Sequence, residues 1–213
     1  MTSTKGDSSV RPRRVSIEEI RARLGEPEEM IKAKVGDHVD EFARRFIAHS
    51  PFAALATSDA RGRADCSPRG DYPGFVKVLD ERAVAMPDRP GNKLADSFAN
   101  LAENDGAGLL FLIPGMREML RLNGSAYVTD EPDVLARMRT EAKAPELAIL
   151  IEVEEVFFHC GRALLRSRLW DQASQALAEE VPTAGEMAVA QMGVDVDPEV
   201  LQRKLEDGYR HLY

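Results

Sequence analysis

The chain changes character across Ala85-Met-Pro-Asp-Arg-Pro-Gly-Asn-Lys-Leu-Ala-Asp-Ser-Phe-Ala-Asn-Leu101. The stretch begins as the end of an apolar run, Ala83 to Met86, and turns through Pro87, Pro90 and Gly91. It then becomes amphipathic: Leu94, Phe98 and Leu101 fall at i, i+4 and i+7, one face of a helix. Pro90 and Gly91 sit where a helix start tolerates a fixed φ or a missing side chain. A helix opening there points its first backbone N–H groups outward between Arg89, Asn92 and Lys93, a setting suited to a phosphate. The other reading of the same residues is an ordinary loop-to-helix junction with solvated cations.

Short apolar runs lie on both sides. Upstream come Phe52 to Ser58, a turn at Asp59-Ala-Arg-Gly62, Ala64 to Asp71, Phe75 to Leu79, a turn at Asp80-Glu81, and Ala83 to Met86. They read as consecutive antiparallel strands with tight turns. Downstream come Gly108 to Ile113, Glu118 to Val128 past Pro114-Gly115, a capped helix opening at Asp130, and a long strand from Leu147 to Phe158. Roughly six or seven short strands with inserted helices predict a small antiparallel barrel in an α+β chain with a mainly β core.

The flanks are helical. Ser16-Ile-Glu-Glu-Ile is a capping box and predicts a short helix to Leu24, closed by Gly25 and Pro27. A second helix is expected from Gly36 to Ala48, with Val39, Phe42, Phe46 and Ile47 on one side. From Gly161 onward the pattern is again helical, broken at Pro182 and Pro198. The expected organisation is a disordered tail over 1–15, helices over 16–50, the barrel core over 51–160 and helices over 161–213, one domain overall.

A chain of 213 residues, 44% hydrophobic, can bury a sizeable core. Its net charge of −8 argues against general nucleic-acid binding, which relies on excess Lys and Arg. No apolar run approaches a membrane span, and no signal-peptide segment opens the sequence. Cys66 and Cys160 form no CxxC and read as reduced, packed thiols of a cytoplasmic protein. His38, His49, His159 and His211 show no ligand spacing, so no metal site is expected.

Three places carry candidate chemistry. In Ser67-Pro-Arg-Gly-Asp71 the proline fits an edge or bulge, and the glycine admits close approach of a flat ligand. Arg69 is placed to meet an anion and Asp71 to accept from a ring N–H; the alternative is a surface bulge with Arg69 paired to Asp71. After Pro114-Gly115, alternation sends Met119, Arg121 and Asn123 to one face and Leu120 and Leu122 to the other. That polar face is either a pocket or interface wall or a solvated outer face. Arg162, Arg166 and Trp170, spaced by helical turns, form a cation–aromatic stripe that reaches a ligand or makes a surface or dimer contact. His159 reads as a hydrogen-bonded structural residue. No general acid/base pair stands out, which suits chemistry carried by a cofactor; catalytic side chains remain unassigned.

Taken in order, Cys66-Ser-Pro-Arg-Gly-Asp71, then Met86-Pro-Asp-Arg-Pro-Gly-Asn-Lys-Leu94, then Arg121-Leu-Asn-Gly-Ser-Ala126 resemble the pyridoxamine 5′-phosphate oxidase-like flavoproteins. The likeness is closer to a bacterial branch of FMN-dependent enzymes whose substrate is unknown, and runs from about residue 16 to residue 170. The resemblance implies a six- to seven-stranded split β-barrel that binds FMN at a homodimer interface. By that match Ser67, Pro68, Arg69, Gly70 and Asp71 lie along the flavin, and Met86 and Pro87 touch it. Arg89, Asn92, Lys93 and Ser97 bind its phosphate. Arg121, Asn123, Arg162 and Trp170 approach the ring from the partner subunit. The chain departs from the true oxidase in its helical end, which has no counterpart of the oxidase's tryptophan- and arginine-bearing last segment, so pyridoxamine phosphate oxidation is not implied. The expected function is an FMN-dependent oxidoreductase acting on a small molecule. The alternatives are a flavin or haem binding or carrier protein without turnover, and an interaction module with a vestigial pocket.

Overall fold

The computed structural model describes residues 12–141, 143–210 and 212–213. Most of the tail expected to be disordered lies outside the described residues, and so does His211; residues 12–15 carry no regular structure. Contacts divide the chain into two units, Met1–Lys34 and Val35–Tyr213. The first holds α1 (Ile17–Leu24) and the four-residue α2 (Glu29–Lys32). The capping box at the start of α1 is formed on both sides, Glu19 N on Ser16 Oγ and Ser16 N on the Glu19 carboxylate.

The second unit is built on one seven-stranded antiparallel sheet. Its strands are β1 (Phe52–Ser58), β2 (Ala64–Gly70), β3 (Lys77–Val78), β4 (Ala83–Pro87), β5 (Gly106–Leu112), β6 (Met119–Thr129) and β7 (Ala148–His159). They lie in the order β2-β1-β5-β6-β7-β4-β3. The expectation of consecutive neighbours therefore holds for β1–β2 and β3–β4 and fails between β2 and β3, which occupy opposite edges. Pro68, opposite Ala54 in β1, has no N–H to give a further strand, so β2 suits an edge.

Alternation drives the core. Ala53, Leu55, Leu109, Phe111, Leu120, Leu122, Ile149 and Ile151 all point inward and are buried. Met86 and Val84 of β4 join them. Two helices cover this cluster: α3 (Glu41–His49), with Phe46 and Ile47, and α4 (Asp96–Glu103), with Leu101. α3 starts at an Asp40 cap rather than at Gly36, which instead pairs with Val156 as an isolated bridge; Phe42 faces solvent.

Beyond β6 come α5 (Pro132–Ala136), which lacks the expected side-chain cap, and after β7 α6 (Arg162–Ser167). A 3₁₀ stretch (Gln172–Glu180), α7 (Ala184–Met192) and α8 (Pro198–Tyr209) follow. The predicted stripe of Arg162, Arg166 and Trp170 is not formed. Arg168 turns left-handed (φ 55°) and ends α6, and the Trp170 Nε1–H donates to the Met116 carbonyl at 2.7 Å. Both cysteines are exposed, so the packing role expected of them is not met.

Candidate functional site

The junction at 88–95 is a loop, not a helix start. α4 begins at Asp96 because Lys93 and Ala95 adopt left-handed backbone (φ 62° and 59°) that no α-helix continues through. The Asn92 side chain accepts from the Leu94 N–H at 3.0 Å, a local turn that competes with helical pairing. Leu94, expected on the helix face, is exposed. Lys93 makes no hydrogen bond or ion pair among the described residues, and α4 has no side-chain cap.

This loop faces the edge strand β2 across a cleft of about 810 Å³, within the range of about 300–1,000 Å³ common for small-molecule sites. Along β2, Asp65, Ser67 and Arg69 turn to the half-buried side, and Cys66, Pro68 and Gly70 to the exposed side. Arg69 is the hub. Its Nε donates to Ser67 Oγ at 3.2 Å and its Nη2 to Ser97 Oγ at 3.0 Å. Ser97, buried at the start of α4, donates to Asp65 at 3.2 Å. Among the described residues the Arg69 Nη1 has only a distant carboxylate, Asp88 at 3.9 Å. Burial pushes the Asp88 carboxyl up, and the charges of Arg69 and Arg89 offset this only in part.

The alternative pairing of Arg69 with Asp71 is corrected. Asp71 takes Arg89 instead, at 2.5 Å, in a pair whose side chains are 2% and 17% exposed. Asp71 also accepts from the Tyr72 N–H at 2.7 Å and from the Tyr213 hydroxyl. Burial alone would raise the Asp71 carboxyl; the hydrogen bonds from Tyr213, the Tyr72 amide and Arg89, with the Arg89 charge, outweigh it and hold the group below the ordinary range. The Tyr213 phenol, hydrogen-bonded to that carboxylate, is pushed up to about 12. Asp71, Arg89 and Tyr213 line a second cleft of about 630 Å³, and Arg89 and Tyr213 line the larger one too.

Of the residues singled out in the sequence, Ser67, Pro68, Arg69, Arg89, Asn92, Lys93 and Ser97 line the larger cleft. Gly70 lines neither cleft, and Asp71 lines only the smaller one. Met86 and Pro87 are buried and absent from both walls, because β4 is flanked on both sides and alternation sends Met86 into the core. Arg121 and Asn123 stand on the outer face of β6, both donating to Glu155 of β7. The Arg121 guanidinium lies 5.4 Å from the Phe157 ring centroid, and its Nε is buried with no acceptor among the described residues. His159, edge-on to Phe157, is held below the ordinary imidazole value by burial first and the Arg121 charge second, with Glu155 opposing. Arg162 is exposed on α6, away from both clefts.

The sequence reading missed Asp88, Asp65, Glu155 and Tyr213. Asp88 sits beside Arg89 in the opening stretch, where an acid next to a candidate anion site was the available signal. For Tyr213 no signal was present.

The family described as pyridoxamine 5′-phosphate oxidase matches residues 39–160. No curated protein matches. Among solved structures, HupZ of Group A Streptococcus is 18% identical over 56% of this chain and 92% of its own, with a TM-score of 0.46. An FMN-binding protein of Syntrophomonas wolfei is 14% identical over 66% and 95%, with a TM-score of 0.46. HutZ, a heme storage protein of Vibrio cholerae, is 14% identical over 57% and 94%, with a TM-score of 0.41.

Proposed function

The chain belongs to the pyridoxamine 5′-phosphate oxidase family, and on that premise we propose that it is an FMN-binding flavoprotein, an FMN-dependent oxidoreductase acting on a small molecule. The observation that carries this reading is Arg69. It is held by two serine hydroxyls, with one amino group whose carboxylate partner among the described residues, Asp88, is 3.9 Å away, at the wall of a cleft large enough for a flavin nucleotide. The residues present fit the phosphate end of FMN. Arg69 offers Nη1, Lys93 and the Asn92 amide stand on the loop, and the uncapped first turn of α4 adds backbone N–H groups. Strain at Lys93 and Ala95, about 1 kcal/mol or more for each left-handed residue, suits a loop shaped around a ligand.

Bound FMN would supply hydride and electron transfer. The chain's own part is to bind and orient. Arg69 neutralises the phosphate, Ser67 and Ser97 hold Arg69, and Pro68 presents a flat, donor-free edge of β2. We assign the outer face of β6 and β7, with Arg121 and Asn123, to a second copy of the chain, whose acceptor would satisfy the orphan Arg121 Nε. In that homodimer Arg162 and the Trp170 face belong to the rim. A cytoplasmic setting is part of this proposal, and the two free thiols suit it; among the described residues no helix is long and apolar enough to cross a membrane.

The test is an absorbance spectrum of the purified protein before and after FMN is added and the mixture desalted. The reading expects flavin bands that survive desalting in the wild type and are lost in Arg69→Ala. A protein that retains no FMN ends it, and a haem band moves the carrier reading to the front. Stopped-flow mixing of the FMN-loaded protein with NADH or NADPH then tests nicotinamides as the electron donor.

A further inference from the structure

Arg89 was expected to hold an anion, and every part of it is already engaged except one amino group. Its Nε donates to Asp71 at 2.5 Å and its Nη2 to the Met138 carbonyl at 3.0 Å. The ring of Tyr213 covers the guanidinium, 5.9 Å from centroid to carbon. The same ring lies parallel to Tyr72, centroids 6.4 Å apart and planes 2° from parallel, while its hydroxyl is given to Asp71. Tyr213 thus stands in the wall shared by both clefts.

What holds Tyr213 there is slight. No strand or helix ties residues 212–213, and Tyr213 itself is 44% exposed and Tyr72 72% exposed. Among the described residues its grip is one hydrogen bond, one ring contact and one cation–ring contact, each weak where solvent reaches. Asp71, by contrast, keeps the Tyr72 amide and Arg89 if Tyr213 leaves. Tyr213 can therefore swing away without stranding a buried charge.

We propose that Tyr213 is a latch on the larger cleft: it covers Arg89 in the resting protein and must withdraw before FMN enters. The latch rests on the FMN reading. Its consequence is kinetic. Only the fraction of molecules with Tyr213 withdrawn accepts FMN, so apparent affinity and association rate are both scaled by that fraction, and dissociation is not.

The experiment follows FMN uptake by the full-length apo protein in a stopped-flow instrument, from the quenching of flavin fluorescence. Wild type is compared with Tyr213→Phe, which removes only the hydroxyl, and Tyr213→Ala, which also removes the ring. The latch expects association about threefold faster in Tyr213→Phe and about tenfold faster in Tyr213→Ala, with Kd tightened to match and dissociation unchanged. Association that is unchanged in both variants overturns the latch and leaves the FMN reading standing. So does faster dissociation with weakened Kd, which makes Tyr213 a ligand contact. Uptake by Tyr213→Ala alone supports the latch strongly. No uptake by wild type or either variant overturns the latch together with the FMN reading.

Discussion

Two arginine–carboxylate pairs flank the barrel and are built to different ends. Arg89–Asp71 is shielded, with side chains 17% and 2% exposed, and the carboxylate is shared among a guanidinium, an amide and a phenol. Arg121–Glu155, on the outer face of β6 and β7, is 37% and 33% exposed, and one buried N–H of Arg121 has no acceptor among the described residues. The first pair is sealed at its carboxylate, where three donors converge; removing one partner leaves a charge stranded. The second keeps unspent hydrogen-bonding capacity where solvent or another surface arrives. A half-open pair with an orphan donor is the better place to look for a partner, and a sealed one the better place to look for stability.

The largest expected effect breaks the frame of the second pair. β6 and β7 slip register between Asn123 and Gly124, and a Cβ on Gly124 would sit 1.9 Å from the Glu152 carbonyl oxygen. Gly124→Ala should cost about 3–4 kcal/mol in urea unfolding, because the obstacle is backbone that cannot step aside. Next comes the sealed pair. Asp71→Ala should cost about 3 kcal/mol by the same measurement, since it strands Arg89. Glu155→Gln should cost about 1 kcal/mol or less, the value of a half-exposed pair. Equal losses for Asp71→Ala and Glu155→Gln would erase the distinction.

Acid separates the pairs further. The folded Asp71 carboxyl lies below its unfolded value of about 3.9, so its contribution is full above that pH and is lost as pH falls through the folded value. Stability followed by denaturant from pH 7 downward should therefore show an acid limb in wild type that flattens in Asp71→Asn. A limb of the same slope in both would mean that other carboxylates carry it.

Much of this was legible in the residues. β1, β5, β6 and β7 were read to within two residues at each end because strict alternation and continuous apolar runs report burial directly. Arg121 and Asn123 were placed on one face of β6 by the same rule. The 88–95 loop was misread because Leu94, Phe98 and Leu101 mimic a helical face, while the Asn92 turn and two left-handed residues that break it leave no periodic trace. The arginine partners were misassigned for a different reason. Asp71 and Arg69 are near in sequence, but Asp71 lies past the end of β2, and it meets Arg89, 18 residues on, only after β2 and β4 are in place. Tyr213 meets Asp71 across 142 residues, a contact set by tertiary packing alone.

The smallest expected effect probes the outer face through His159. Its folded value lies below the ordinary one of about 6.5, so the neutral ring is favoured: its contribution to stability is full above that pH and declines as pH falls toward the folded value. Three influences act on it, burial and Arg121 downward and Glu155 upward. If the outer-face cluster is one electrostatic unit, the two partners must move the imidazole in opposite directions. Arg121→Met should raise its pKa toward the ordinary value, and Glu155→Gln should lower it further, both read from histidine ring resonances by NMR titration. The sealed pair across the barrel supplies the control. Asp71→Asn changes a charge that is not among those acting on His159, and the ring should titrate as in wild type. A shift of His159 in Asp71→Asn as large as in Arg121→Met would mean that the two pairs communicate through the sheet rather than each answering to its own surroundings.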